Sequence, residues 1–373
     1  MNKLLSILIV AVSLLSCNGY RWNGRTETGD TVSFKYSQLI VVEQYDGYRL
    51  VTIKNPWKEG KVLHRYQLIP YDDVAPHHTE HGATIVRVPL QRSVVFTSMH
   101  AALLAELGAQ NQVAGVADLK YMKVPYVQNG VRKGRILDCG DGMAPVVEKI
   151  IDAEADAILL SPFENSGGYG RLEKMEVPLI ECAEYMEHSP LARAEWIRFY
   201  GMLYGKERVA DSLFAVVDSS YHALKTMAAT MPDSLTVMMD KQTGSVWYMP
   251  GGNSTIGRML QDAKCCYPFA NDDRSGSLPL PFETVLEKCG EADVWLFRYD
   301  SDQPMTKALL EKEQKGYSQL RPLREGNVYG CNVLTSMFYE ETPFRPDLLL
   351  QDYIGILHPQ LRKEPLRYYH KIE

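Results

Sequence analysis

"KERVADSLFAVVDSSYHALKTMAA", residues 206–229, runs for 24 residues without a glycine or a proline. Those two residues end or kink helices, so their absence predicts one unbroken helix. At about 1.5 Å per residue it would be roughly 36 Å long. Val209, Leu213, Val216 and Val217 mark one apolar side. A continuous helix of this length, set between two similar regions, predicts a stiff connection rather than a flexible strand hinge.

The flanking regions share one pattern. Upstream, "SVVFTS", "QVAGVAD", "AILLS" and "VPLIEC" read as short buried strands separated by helical stretches. His100, Leu103, Leu104 and Leu107 follow helical spacing, and Gly108 ends that helix. Downstream, "LTVMMD", "VWLFRY" and "NVYGCNV" read as strands, and "TIGRMLQDA", "FETVLEKCGEAD" and "RPDLLLQDYIGILHP" as helices. Strands alternating with helices predict parallel α/β units. "EKIIDAEADAILL" and "EKCGEADVWLF" both pass from helix through Glu-Ala-Asp into a buried strand, which suggests two lobes of one kind.

The expected organisation is therefore a leader over 1–17, a β-rich extension over 18–90, a first α/β lobe over 91–205, a linker helix over 206–230 and a second α/β lobe over 231–373. The extension rests on "YRLVTIKNPW", "KVLHRYQLIP" and "ATIVRVPL", β-rich runs divided by turn chemistry at Asn55-Pro56 and Glu59-Gly60. The leader has Lys3, an apolar run from Leu4 to Leu15 and then Leu14-Leu15-Ser16-Cys17. That ending resembles a bacterial lipobox, with Cys17 as the lipidated new N-terminus; an ordinary secretory peptide would end in an A-x-A-like site. The expected location is the periplasm, with the chain held to a bacterial membrane only by its lipid.

Of 373 residues, 45% are hydrophobic and 23% charged, and the formal net charge is −6. Nothing is strongly basic, which argues against a nucleic-acid partner. Six cysteines follow the leader, at 139, 182, 265, 266, 289 and 331. Export would permit disulfides, buried free thiols are the alternative, and the spacing does not resemble a zinc site. No G-x-S-x-G, H-E-x-x-H or P-loop motif occurs, so no motif signals an enzyme. "PHHTEHG", with His77, His78 and His81, lies in a loop of the extension and reads more simply as a polar loop than as a metal site.

Seven stretches in order carry a resemblance over about residues 90–360. They include "RSVVFTSMHAALLAELGAQNQVAGVADLKY", "GDGMAPVVEKIIDAEADAILLSP", "GKERVADSLF", "GSVWYMPGGNSTIGRMLQDA" and "LPLPFETVLEK". The chain resembles the single-helix-hinge substrate-binding proteins of ABC importers for cobalamin, ferric siderophores and haem, the BtuF/FhuD-like class. That resemblance implies two Rossmann-like α/β lobes joined by one long rigid helix, here with an N-terminal β-rich extension. It also implies a small-molecule metal chelate as cargo, an iron chelate or a corrinoid, with no intrinsic cofactor and no intrinsic metal. An ABC importer permease is the implied partner, and a monomer is expected. Many members carry a Thr-Glu pair where this chain has Ala101 and Ala102. A chelatase-like enzyme on the same bilobal fold is the alternative function, against which export argues, and a structural lipoprotein is a third.

Ligands of parallel α/β sheets bind beyond the carboxyl ends of strands, which selects the site candidates. In "SVWYMPGGNST", residues 245–255, Trp247 and Tyr248 are expected to form an aromatic shelf, Gly251 to bring backbone near the ligand, and Asn253 or Ser254 to cap the next helix. The alternative places both aromatics in the core. Ser98 and His100 follow the first strand, Tyr121 the second, Ser166 and Tyr169 the third, and Tyr185 the fourth. Arg298 and Tyr299 end "VWLFRY"; Arg298 suits a carboxylate or phosphate, or a surface pair with Asp300 or Asp302. By the resemblance, Glu148 and Glu283 are the acidic residues that dock onto permease arginines, with Glu287 as the fallback for the second.

Overall fold

The protein was analysed as a computed structural model that describes residues 29–73, 80–164, 168–232 and 234–373. The leader with Cys17, as well as His77, His78, Asn165 and Ser166, lies outside the described residues.

The first lobe is a five-stranded parallel sheet in the order Leu179–Glu181, Ala157–Leu160, Ser93–Val95, Val113–Val116, Leu137–Asp138. Ala157–Leu160, Ser93–Val95 and Val113–Val116 are buried at every residue, as strands covered on both faces must be. The order reverses beside Ser93–Val95. That is the switch point where a doubly wound sheet opens a crevice. The second lobe has three parallel strands, Val237–Met239, Val294–Tyr299 and Val328–Asn332, closed by the antiparallel His370–Lys371. A small antiparallel sheet of Gln242–Thr243, Val246–Pro250 and Ser277–Leu280 packs beside it.

One helix, Glu207–Ala229, connects the lobes. Its buried residues are Ala210, Phe214, Val217, Tyr221 and Ala228. The apolar side expected from Val209, Leu213, Val216 and Val217 is corrected: Val209 and Val216 are exposed and the true stripe begins at Ala210. The i, i+4, i+7, i+11 series from 210 follows the helical repeat with larger side chains, so it takes the core. The helix packs on Ile197–Tyr204 of the first lobe and on Pro346–Leu357 of the second. The first contact is very close, because a Cβ on Gly201 would stand 2.5 Å from that of Ala210.

The extension is a five-stranded sheet of Asp30–Val32, Ile40–Tyr45, Tyr48–Lys54, Val62–Pro70 and Ala83–Val88. Its apolar face is continuous with the first lobe's core, where Val42, Val51, Ile53 and Leu68 join Leu103, Trp196 and Phe199. Two buried carboxylates anchor its segment 35–39. Glu195 accepts from the backbone N–H groups of Lys35, Tyr36 and Ser37 at 2.7, 2.8 and 2.9 Å. Glu187 accepts from those of Gln38 and Leu39, each at 3.1 Å, and from Trp196 Nε1 at 2.9 Å. Charge-assisted bonds in such number offset the cost of burying the two charges.

Candidate functional site

The crevice at the switch point is a groove of about 640 Å3. Phe96 and Thr97, which continue the strand Ser93–Val95, form its floor together with Ser161, which continues Ala157–Leu160. Met143, Phe163 and Tyr169 line it from loops. Met143 is 78% exposed and Phe163 45%, so two large apolar side chains stand uncovered on one concavity. Grouped exposure of this kind marks a contact surface more than scattered apolar residues do.

A second cavity, of about 330 Å3, lies between the lobes and shares Thr97 with the groove, so the two are adjoining. Ser98, Met99 and Arg193 line it from the first lobe. Thr255, Ile256, Arg298 and Tyr339 line it from the second. Three helices of eight residues or more begin here: Ser98–Glu106, Thr255–Asp262 and Pro346–Leu357 each present first-turn residues to it. Thr97 caps the first, with Oγ1 accepting from His100 N, and Ser254 caps the second, with Oγ accepting from Gly257 N at 3.0 Å. Helix N-termini carry partial positive charge and favour anions.

Arg193 adds a full charge. It makes no ion pair among the described residues, its Nε has no hydrogen-bond partner, and one Nη reaches only the sulfur of Met99 at 3.4 Å. Burial lowers its pKa from the ordinary arginine value, and attraction to the nearby buried Glu184 offsets part of that. Arg298, on the facing wall, is neutralised within the protein. Its Nε and Nη2 bond the two carboxylate oxygens of Asp240 at 3.0 and 2.7 Å.

Ser98 and Arg298 line the inter-lobe cavity and Tyr169 the groove, and Arg298 is engaged by Asp240 rather than by Asp300 or Asp302. Trp247 is corrected. It lies on the strand Val246–Pro250, not on a turn, and is fully buried against Phe282, Trp295 and Tyr317, with Nε1 donating to the Met239 carbonyl at 2.8 Å. Tyr248 is exposed but lines neither cavity. Gly251 is also corrected: a Cβ there would meet the carbonyl oxygen of Arg274 at 2.3 Å, so the close approach is to the chain itself. Asn253 bonds the Asp273 carbonyl and Arg258, and Ser254 is the cap.

His100 is corrected as well, being fully buried below the cleft floor with its Nδ1 2.6 Å from Thr97 Oγ1. Tyr299 is buried and bonded to His370 Nε2 at 2.9 Å. Tyr121, 63% exposed, lines neither cavity, and Tyr185 spends its hydroxyl on the Pro162 carbonyl. Sequence reasoning missed Arg193, Met143, Phe163 and Tyr339. The Ser189 cap followed by Pro190 does signal a helix start, and that helix carries Arg193.

Glu148 and Glu283 each sit in the first turn of an exposed helix, Val147–Asp152 on the first lobe and Phe282–Cys289 on the second. Glu148 meets Arg171 at 2.9 Å, both largely exposed. All six described cysteines are free. Among the described residues no helix is long and apolar enough to cross a membrane.

Residues 94–333 match the family model described as periplasmic binding protein. An uncharacterised lipoprotein of Methanocaldococcus jannaschii is 24% identical over 290 residues, covering 75% of this chain and 68% of its own. A periplasmic haem-binding protein from Pseudomonas aeruginosa shares the fold with a TM-score of 0.59 at 14% identity, over 76% of this chain and 98% of that one. The molybdate-binding protein MolA of Haemophilus influenzae does so with a TM-score of 0.56 at 15% identity, over 73% and 87%.

Proposed function

Given that the chain belongs to the periplasmic binding protein family, we propose that it captures an anionic metal chelate between its lobes and delivers it to an ABC importer permease. The family is one of binding proteins, not enzymes, which leaves the chelatase alternative without support. The observation that carries the ligand class is Arg193, a guanidinium with no ion pair among the described residues, facing a cavity where three helices of eight residues or more begin. A carboxylate, catecholate or phosphate edge placed there would supply the hydrogen-bond acceptor that Arg193 Nε lacks. The adjoining groove, with Phe96, Met143 and Phe163, suits the apolar body of a ferric siderophore, a haem or a corrinoid.

A bare oxyanion is the second reading. The inter-lobe cavity alone, about 330 Å3 and cationic, favours it, and the similar MolA protein binds molybdate. Titration of the purified protein, followed by tryptophan fluorescence, separates the two. The panel is ferric catecholate, hydroxamate and citrate chelates, haem, cobalamin and molybdate. The chelate reading expects saturable binding of an anionic chelate and none of molybdate. It fails if molybdate alone binds or if nothing on the panel does.

Two further parts of the proposal concern attachment. Cys17 carries the lipid, a reading supported by its lipobox-like setting and by the lipoprotein name of the M. jannaschii relative. Glu148 and Glu283 engage the permease, one from each lobe, so that docking registers the relative position of the lobes.

A further inference from the structure

Beneath the cleft floor, four side chains from four elements meet with no exposed surface. They are His100 on the helix Ser98–Glu106, Cys182 just after the strand Leu179–Glu181, Glu184 in the turn Glu184–Met186, and Tyr200 on the helix Ile197–Tyr204. The donor atoms of His100, Cys182 and Glu184 all lie within 4.8 Å of one another. From this cluster we infer a buried site for one borderline-soft divalent transition metal, of the zinc or cobalt type, separate from the ligand cleft.

Three observations support it. First, Glu184 is a fully buried carboxylate that accepts from the Tyr200 hydroxyl at 3.0 Å, with His100 Nε2 3.3 Å away. No lysine or arginine among the described residues stands within ion-pair distance of it, and Arg193 is the cation that acts on it from farther off. Buried carboxylates are normally paired with a cation or bound to a metal. Second, the imidazole is held as metal-bound imidazoles are. Thr97 Oγ1 lies 2.6 Å from Nδ1, and with Nδ1 donating its proton there, Nε2 turns its lone pair to the cluster. Third, the spacing fits. His100 Nε2 and Glu184 Oε1 are 3.3 Å apart. That is long for a charge-assisted hydrogen bond, but two ligands bound at about 2.0 Å in tetrahedral geometry stand roughly 3.3 Å apart.

The Cys182 sulfur supplies a soft third donor. The Tyr200 hydroxyl, 2.8 Å from Nε2, is nearer than a tetrahedral ligand would stand; it donates to Glu184 Oε2 at 3.0 Å and orients that carboxylate, leaving the fourth position to a water. Binding would replace the thiol proton with the metal and release that proton to solvent. Such a metal would be structural. It would tie the start of the helix Ser98–Glu106, and with it Thr97 and Met99 of the cleft, to the helix Ile197–Tyr204. The inference does not depend on which ligand the cleft takes.

The test uses the protein produced in cobalt-supplemented medium and washed with chelator. The expected result is about one cobalt per chain, a visible spectrum of tetrahedral Co(II) and a thiolate-to-cobalt charge-transfer band in the near ultraviolet. Cys182→Ser should abolish that band and lower retained metal at least about tenfold. Cys266→Ser, which removes an exposed thiol, should change neither. No retained metal, or a charge-transfer band that survives Cys182→Ser, overturns the site. Should Cys182→Ser not fold, X-ray absorption on the zinc-loaded wild-type protein decides. One sulfur at about 2.3 Å with nitrogen and oxygen at about 2.0 Å supports the assignment, and a shell without sulfur overturns it.

Discussion

Trp247 and Tyr248 are neighbours on the strand Val246–Pro250 and face opposite ways: Trp247 has no exposed surface, whereas Tyr248 is 48% exposed. The strand's two-residue alternation sends the indole into the seam between the small antiparallel sheet and the parallel sheet of the second lobe. Trp247→Phe removes the donor to the Met239 carbonyl and leaves a gap, so it should cost about 2 kcal/mol. Urea unfolding checks this through a lower midpoint at constant slope. Ligand affinity should stay within about twofold of wild type, as for a site remote from the ligand.

Arg193 and Arg298 line one cavity with opposite commitments, and their variants should separate. Arg193→Met breaks no ion pair among the described residues but takes the nearby cation from the buried Glu184, so stability should fall less than in Arg298→Met. Affinity for an anionic ligand should fall roughly 10- to 100-fold. Arg298→Met leaves the Asp240 carboxylate without its two-point partner and should cost about 2 kcal/mol of stability. Calorimetric titration and thermal melts on both variants test the contrast.

The periodicities and the resemblance made the lobes and the linker helix legible, because burial on both faces leaves continuous apolar strands and an unbroken helix leaves no glycine or proline. The site was legible only by position along strands. Ser98, Tyr169 and Arg298 were found because strand ends are where crevices open. Trp247 and Tyr299 were misplaced because an aromatic beside a strand end looks alike in sequence whether it faces a cleft or a core. Arg193 stayed hidden for a different reason. What sets it apart is an Nε with no hydrogen-bond partner among the described residues, on a cavity wall, a property of three dimensions that no local pattern records.

Thiol chemistry should follow burial. Burial pushes the Cys139 and Cys331 thiols up to about 11 and those of Cys265 and Cys289 up to about 12, and raises that of Cys182 as well. Each therefore stays protonated and poorly nucleophilic at neutral pH. Iodoacetamide at pH 8 should label Cys266 alone among the described cysteines in the folded protein, and all of them in urea. Mass spectrometry of the digest reads the pattern; rapid native labelling of Cys139 or Cys289 would contradict it.

The extension's clasp on the linker helix should loosen in acid. Asp218 accepts from Tyr36 Oη at 2.5 Å and pairs with Lys35 Nζ at 2.9 Å. Partial burial pushes its pKa up, but the hydrogen bonds from Tyr36 and Lys35 outweigh that and hold it below the ordinary aspartate value. The stabilisation is therefore complete above the unfolded value of about 3.9 and is lost as pH falls through the depressed folded one. Relative to the intrinsic rate, hydrogen exchange in residues 30–38 should quicken as pH falls below about 4 in wild type. Asp218→Asn should show that faster exchange already at pH 6.

Ligand binding should move the lobes only slightly. The linker helix packs on both lobes along its length, and bending it would break main-chain hydrogen bonds that a strand hinge does not have to break. A second tie lies at the cleft's edge. Phe344, from the second lobe, is buried in the first lobe's core, with ring centres 5.7 Å from Tyr200 and 6.3 Å from His100. Lys123 of the first lobe also donates to the Val333 carbonyl of the second. Free and ligand-bound protein should therefore give nearly superimposable small-angle scattering curves. Phe344→Ala removes the aromatic tie while leaving the helix, so the free protein should open measurably and close again on binding. A clear fall in radius of gyration when the wild-type protein binds its ligand would show a wide swing and refute the rigid linkage.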